Sequence, residues 1–257
     1  HFLRLVEGDG HLVAVGADTR YQLSEALVEQ HWRDNTNGVL VASPANPTGA
    51  VLSRDELQGL SRAVGARKGH LVVDEIYHGL SYGADTPSVL EIDPDAFGSN
   101  SFSKYFGMTG WRLGWLVAPE EAVAEMEKLA QNLFISMSTM AQHAALAGFE
   151  PATREILDQR RELFRQRRDF LLPAVRELGF TVRSEPQGAF YIYADASRFT
   201  GDSQAFCLRL LEEQGVALTP GVDFGHHRAN EHVRFSFTTS MERLQVAIDR
   251  LAGVLGA

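Results

Sequence analysis

Short apolar runs alternate with helix-patterned stretches through the first half of the chain, and that alternation restricts the architecture more than any other feature of the sequence. HLVAV (11–15), GVLVAS (38–43), HLVVDE (70–75), the weaker GSNSFS (98–103) and GWLVAP (114–119) read as strands. Strands separated by helices predict βαβ units and a mainly parallel sheet, hence an α/β fold. Helix starts are marked between them. Ser53 and Glu56 have capping-box spacing, and Pro119 suits a first helical position.

The pattern changes near Pro151, where a long charged helix is predicted through REILDQRRELFRQRRDFLLPAVREL with a kink at Pro173. Its arginines read as a solvated face. Beyond it TVRSE, AFYIYAD, GVALTP and HVRFSF look strand-like, helices are predicted over 203–214 and 240–253, and Thr239 with Glu242 suggests a second capping box. The expected organisation is a large α/β domain over residues 1–155 and a smaller C-terminal α+β domain over 156–257, entered through the long helix. No repeat, low-complexity tract or Pro/Gly/Ser-rich linker interrupts it.

With 257 residues, 44% of them hydrophobic, the chain can bury a large core. A net charge of −9 without a Lys/Arg cluster argues against a nucleic-acid or anionic-membrane partner. No apolar run reaches the roughly 20 residues of a membrane helix. Cys207 is the single cysteine and sits in the apolar helical pattern AFCLRLLEE, which excludes a disulfide scaffold and fits a buried thiol in a reducing compartment such as the cytoplasm. The chain begins at His1 rather than at a methionine, and the expectation is that it starts partway into the large domain.

Only three lysines are present. Lys68 lies in the turn-like GARKGH and Lys128 on a helix of mixed charge, and both read as solvated. Lys104, inside SFSKYFGMTGWRLGW, is different: aromatic neighbours can desolvate it and a nearby cation would favour its neutral, nucleophilic form. Upstream, SPANPTG (43–49) and DEIY (74–77) directly follow predicted strands, and in open α/β sheets ligands bind at the carboxyl ends of strands. Taken singly, Asn46 could be an Asx-turn residue and Asp74 a cap. Neither reading explains why an Asp, a Tyr, an Asn, a Lys and an Arg all gather at strand ends. The rival motif Gly79-Leu80-Ser81-Tyr82-Gly83 matches a nucleophile elbow, but prolines 87 and 94 follow where a helix should open. His226 and His227 lack metal-ligand spacing, and no metal is expected.

The ordered set SPANPTG, VVDEIY, SFSKYFGMTGWRLGW, PQGAFYIY, PGVDFG and VRFSF resembles the fold-type I pyridoxal-phosphate enzymes, specifically the class I/II aminotransferases, over almost the whole chain. The resemblance implies pyridoxal 5'-phosphate as cofactor, with Lys104 forming the internal aldimine and, once freed, moving the substrate Cα proton. It implies that Asp74 pairs with the pyridine nitrogen and that Tyr77 and Asn46 bond the phenolic oxygen. Ser101, Ser103 and Arg112 would hold the phosphate, although Ser103 would point away if its segment were extended. Arg234, with Asn46 beside it, would take the substrate carboxylate. The expected reaction is ping-pong amino transfer between an L-amino acid and a 2-oxo acid in a homodimer. Family members carry a further segment before the position matching His1. A carbon–sulfur lyase or decarboxylase on the same scaffold, and a non-catalytic cofactor-sensing domain, stay open as alternatives.

Overall fold

Available ladder partners, more than hydropathy, decide which apolar runs become strands. The computed structural model describes residues 2–256, so His1 and Ala257, the outer ends of the two expected domains, lie outside the described residues. In chain order the elements are α1 (Phe2–Leu5), α2 (Glu25–His31), β1 (Gly38–Ala42), α3 (Arg54–Gly65), β2 (His70–Asp74), β3 (Phe97–Ser101), β4 (Gly114–Val117), α4 (Glu120–Phe134) and α5 (Thr139–Leu146). They continue with α6 (Pro151–Glu177), β5 (Tyr191–Asp195), α7 (Ser203–Gln214), β6 (Thr219–Pro220), β7 (His232–Ser236) and α8 (Met241–Leu255).

β1, β2 and β3 pair in parallel and β4 closes the order β1-β2-β3-β4 antiparallel to β3, giving the expected mainly parallel α/β sheet. The parallel register aligns Ala42, Asp74 and Ser99 across three strands, so the loops after β1 and β2 leave the sheet side by side. On one face Val41, Leu71 and Val73 pack against Leu57, Leu60, Ala63 and Val64 of α3 and Val28 of α2. Ser53 caps α3 as predicted, accepting from Glu56 N while Glu56 accepts from Ser53 N. The second sheet is antiparallel, in the order β5-β7-β6. Its core joins Ile192, Val233, Phe235 and Phe237 to Leu171, Leu172 and Val175 of α6, Phe206 and Leu210 of α7, and Leu244 and Leu251 of α8. Cys207 lies in this core, where burial pushes its thiol up to about 11. The expected boundary at 155/156 falls inside α6, whose C-terminal half carries the second core.

Several expectations are corrected. HLVAV forms no strand: residues 11–15 have no ladder partner among the described residues and Leu12 is 71% exposed. TVRSE contributes one bridge, Thr181 to Asp195, and GVALTP only Thr219–Pro220. Pro119 is the residue before α4 rather than its first. The cap of α8 is Ser240, not Thr239, with Ser240 Oγ accepting from Arg243 N. The long helix is present as expected and continues past Pro173 to Glu177. Among the described residues no helix is long and apolar enough to cross a membrane, and no cluster of three or more His, Cys, Asp or Glu side chains could hold a metal ion.

The turn after β2 stores a pH dependence. Glu75 is buried and accepts from Ser88 Oγ at 3.0 Å and Val89 N at 2.7 Å. His78 Nδ1 lies 3.6 Å from Glu75 Oε2, while His78 Nε2 is buried without a hydrogen-bond partner among the described residues. Burial lowers the His78 value, outweighing the opposing pull of Glu75. The unfolded chain therefore binds the proton first, and stability falls as the pH drops through the ordinary histidine value of about 6.5. Urea unfolding midpoints should decline from pH 7.5 to pH 5.5, and His78→Gln should flatten that decline; equal slopes for both proteins would refute the assignment.

Candidate active site

Four segments converge at the carboxyl ends of β1, β2 and β3. The first, SPANPTG, is drawn toward the second sheet by Gly49, whose carbonyl accepts from both Gln187 N and Gly188 N at 2.9 Å. Gly49 has φ +69°, and a Cβ there would sit 2.7 Å from Gly188 O and from Pro186 Cβ. Only glycine allows this approach. It brings β7 within reach of the loop, and Arg234 Nη1 donates to Asn46 Oδ1 at 2.7 Å across a separation of 188 residues.

Arg234 is only partly satisfied by hydrogen bonds among the described residues. Its Nη2 donates to Thr219 Oγ1 at 3.1 Å, and its guanidinium carbon stands 4.1 Å from the Tyr191 ring centroid and 4.8 Å from that of Phe224. Its Nε is buried with no hydrogen-bond partner among the described residues. A half-buried cation clamped between rings, with neutral groups on both Nη atoms, favours an anion supplied from outside the chain.

Tyr191 connects this clamp to the second segment. Its hydroxyl is 3.1 Å from the Tyr77 hydroxyl, and the two rings meet edge to face. Tyr77 is buried, and that burial, reinforced by Tyr191, raises its phenol well above the ordinary tyrosine value. Asp74, at the end of β2, accepts from Ile76 N at 3.1 Å and from Ser99 Oγ at 3.5 Å, both through Oδ1. Its second oxygen makes no hydrogen bond among the described residues.

The third segment follows β3. Lys104 is half-buried, makes no side-chain hydrogen bond among the described residues, and holds Nζ 5.6 Å from the Tyr77 ring centroid and 5.9 Å from that of Phe190. Ser101 Oγ lies 2.9 Å from Ser103 Oγ and 3.1 Å from Leu113 O. The two serines share one side because the strand ends at Ser101 and the chain turns, so strict strand alternation does not apply to Ser103. Arg112 adopts a left-handed conformation, is exposed, and donates to Thr109 O of its own loop at 2.9 Å.

Thus Lys104, Tyr77, Tyr191, Arg234 and Asn46 form one connected chain of contacts. Asp74, Ser101, Ser103 and Arg112 lie at neighbouring strand ends and make no side-chain hydrogen bond to it among the described residues. Tyr191, Phe190, Thr219 and Phe224 were not singled out from the sequence, although the motifs containing the first, second and fourth were; Thr219 sits in a two-residue strand with no local signature. Beside Asn46 opens a groove of about 760 Å³ lined by Tyr21, Pro47, Tyr193, Phe224 and His232. Burial pushes the Tyr193 hydroxyl up to about 12.

Known proteins resemble the chain over most of its length. The family model described as aminotransferase class I and II matches residues 19–251. A valine–pyruvate aminotransferase of Mycobacterium tuberculosis is 38% identical over 245 residues, covering 95% of this chain and 63% of that protein. An aspartate aminotransferase of Thermotoga maritima is 35% identical, covering 98% of this chain and 65% of that protein. Among solved structures, a double mutant of Thermus thermophilus aspartate aminotransferase superposes with a TM-score of 0.92 at 35% identity, covering 98% of this chain and 65% of the other. The chain spans just under two thirds of the length of these relatives.

Proposed function

From the premise that the chain belongs to the class I and II aminotransferase family, we propose that it holds pyridoxal 5'-phosphate and takes part in moving an amino group between an L-amino acid and a 2-oxo acid. The observation that carries the reading is the convergence of an unbonded Lys104 amine, a half-used Asp74 carboxylate and an anion-seeking Arg234 on one strand-end surface. The relatives reported above carry aminotransferase names, which favours transamination over carbon–sulfur cleavage, decarboxylation or cofactor sensing.

The residues suit such a cofactor chemically. Bound pyridoxal phosphate supplies an aldehyde for a lysine amine and an electron sink that lets a substrate Cα–H bond ionise. Lys104 is the amine whose surroundings are aromatic, and when free it can take or return a proton at Nζ. Asp74, with Oδ2 unused, would keep a ring nitrogen protonated. The Tyr77 hydroxyl and the Asn46 amide would bond a phenolic oxygen. Ser101, Ser103 and Arg112 offer hydroxyl and guanidinium donors for a phosphate. Arg234 would bind and orient the substrate carboxylate, with Asn46 beside it. Division of the chain at 155/156 belongs to the same reading, its support being the two separate sheets and cores.

A test that isolates Arg234 is Arg234→Leu. It should lower kcat/KM for an amino acid by about 10²-fold, mainly through KM, and should lose discrimination against the corresponding amine without the carboxylate. An unchanged KM would remove Arg234 from substrate binding. A homodimer in the cytoplasm completes the proposal. Its support is the exposed apolar surface of α4 and β4, formed by Leu129, Leu133, Phe134, Trp115 and Val117, and the single, buried Cys207. Sedimentation velocity should give a particle of twice the chain mass; a single monomer boundary at micromolar concentration would reject the dimer for this chain.

A further inference from the structure

The three residues after Lys104 each dock onto a place that has no room for another side chain. Tyr105 lies on Gly79, where a Cβ would stand 2.6 Å from its ring, and Gly79 has φ +87°. Phe106 lies on Gly148, where a Cβ would stand 2.9 Å from its ring. The guanidinium of Arg160 occupies the space beside Gly107. Two of these three contacts involve α6 or its approach, and Tyr105 adds a third link, donating from its hydroxyl to Asp158 Oδ1 on α6 at 2.9 Å. Asp158 is itself held by Arg161 at 3.3 Å. The turn is also tied to itself, with Gly107 N donating to Lys104 O and Thr109 Oγ1 to Ser103 O.

We propose that Tyr105 is a positioning residue for Lys104, holding its turn against α6 through Asp158 so that Nζ stays against the Tyr77 and Phe190 rings. The inference rests on the reading of Lys104 as the reactive amine. Gly79 follows the Tyr77 turn directly, so the ring of Tyr105 sets the Lys104 backbone against the element that carries Tyr77. The hydroxyl then ties that assembly to a helix whose far end, at Leu171, Leu172 and Val175, lies in the core beneath β7 and Arg234. Lys104 and Arg234 are thereby referred to one rigid element, as two groups acting on one substrate require.

The experiment uses the 257-residue chain without cofactor: a brief pulse of isotope-coded acetic anhydride, with acetylation of Lys104 measured against Lys68 by peptide mass and unfolding midpoints recorded alongside. Freed from its tie, the turn should expose the amine. Tyr105→Phe and Asp158→Ala should each raise the Lys104 to Lys68 ratio about 3- to 10-fold, the loss of one exposed hydrogen bond of ordinary net strength. Asp158→Asn keeps an acceptor oxygen and should restore the parent ratio, which general loosening of the helix would not do. Parent ratios in both Tyr105→Phe and Asp158→Ala, or an Asp158→Asn ratio equal to that of Asp158→Ala, would overturn the proposal. Failure of pyridoxal phosphate to attach to Lys104 would count instead against the function proposed above, since the acetylation ratios are read without it.

Discussion

Replacing Lys104 by alanine is expected to abolish amino exchange, with a loss of at least about 10³-fold in kcat and an unchanged unfolding midpoint. The size follows from the two roles proposed above for that one amine. Removing a positioned acid/base alone costs about 10²–10⁴-fold, and removing the covalent attachment of the cofactor adds to it. Stability should not follow, because Lys104 Nζ makes no hydrogen bond among the described residues and its contacts are ring faces at 5.6 and 5.9 Å. Neither of the other lysines can substitute: Lys68 lies in the turn after α3 and Lys128 pairs with Glu125 on exposed α4. Transfer of the amino group of a labelled amino acid to a 2-oxo acid measures the loss. Retention of even a tenth of the parent rate would mean that Lys104 is not the reactive amine.

Asp74→Ala should lower the same rate by about 10²–10³-fold, the usual size of removing one fixed electrostatic partner from developing charge. The carboxylate is set by the β2 register and by donors from Ile76 N and Ser99 Oγ to Oδ1, which leaves Oδ2 directed by a fixed partner set. Asp74→Asn separates charge from shape. It keeps an oxygen for Ile76 N but cannot hold a neighbouring ring nitrogen in its protonated form, so it should fall near the alanine variant. Full activity in Asp74→Asn would show that the carboxylate acts only as a cap for the turn, the bland role its position after a strand also permits.

These outcomes depend on features that were unevenly legible in the sequence. Ser53 and Glu56 were readable because both halves of a capping box lie within one turn, and β1 and β2 because each is a short continuous apolar run, even though Leu40 of β1 is 65% exposed. HLVAV has the composition of a strand, but a strand exists only when another lends it hydrogen bonds, and residues 11–15 have none among the described residues. Thr239 reads as a cap from the sequence because Glu242 stands three residues on, and the one-residue uncertainty of helix ends is enough to move the cap to Ser240. Lys104, Asp74, Tyr77 and Asn46 stood out because each follows a strand. Tyr191 did not, since its importance lies in two contacts, with Tyr77 114 residues away and with Arg234 on the adjacent strand, that no local pattern encodes. Ser103 shows the same limit in reverse: period-two reasoning turned it away, and the end of β3 two residues earlier turned it back.

The central claim is that Lys104 is the amine of a formed cofactor site, and reductive trapping tests it most directly. The purified chain would be incubated with pyridoxal phosphate, reduced with borohydride, and digested for peptide mapping by mass. The account predicts about one pyridoxyl group per chain, confined to the peptide carrying Lys104 and absent from Lys104→Arg. Label spread over Lys68 and Lys128, or no label at all, would contradict it.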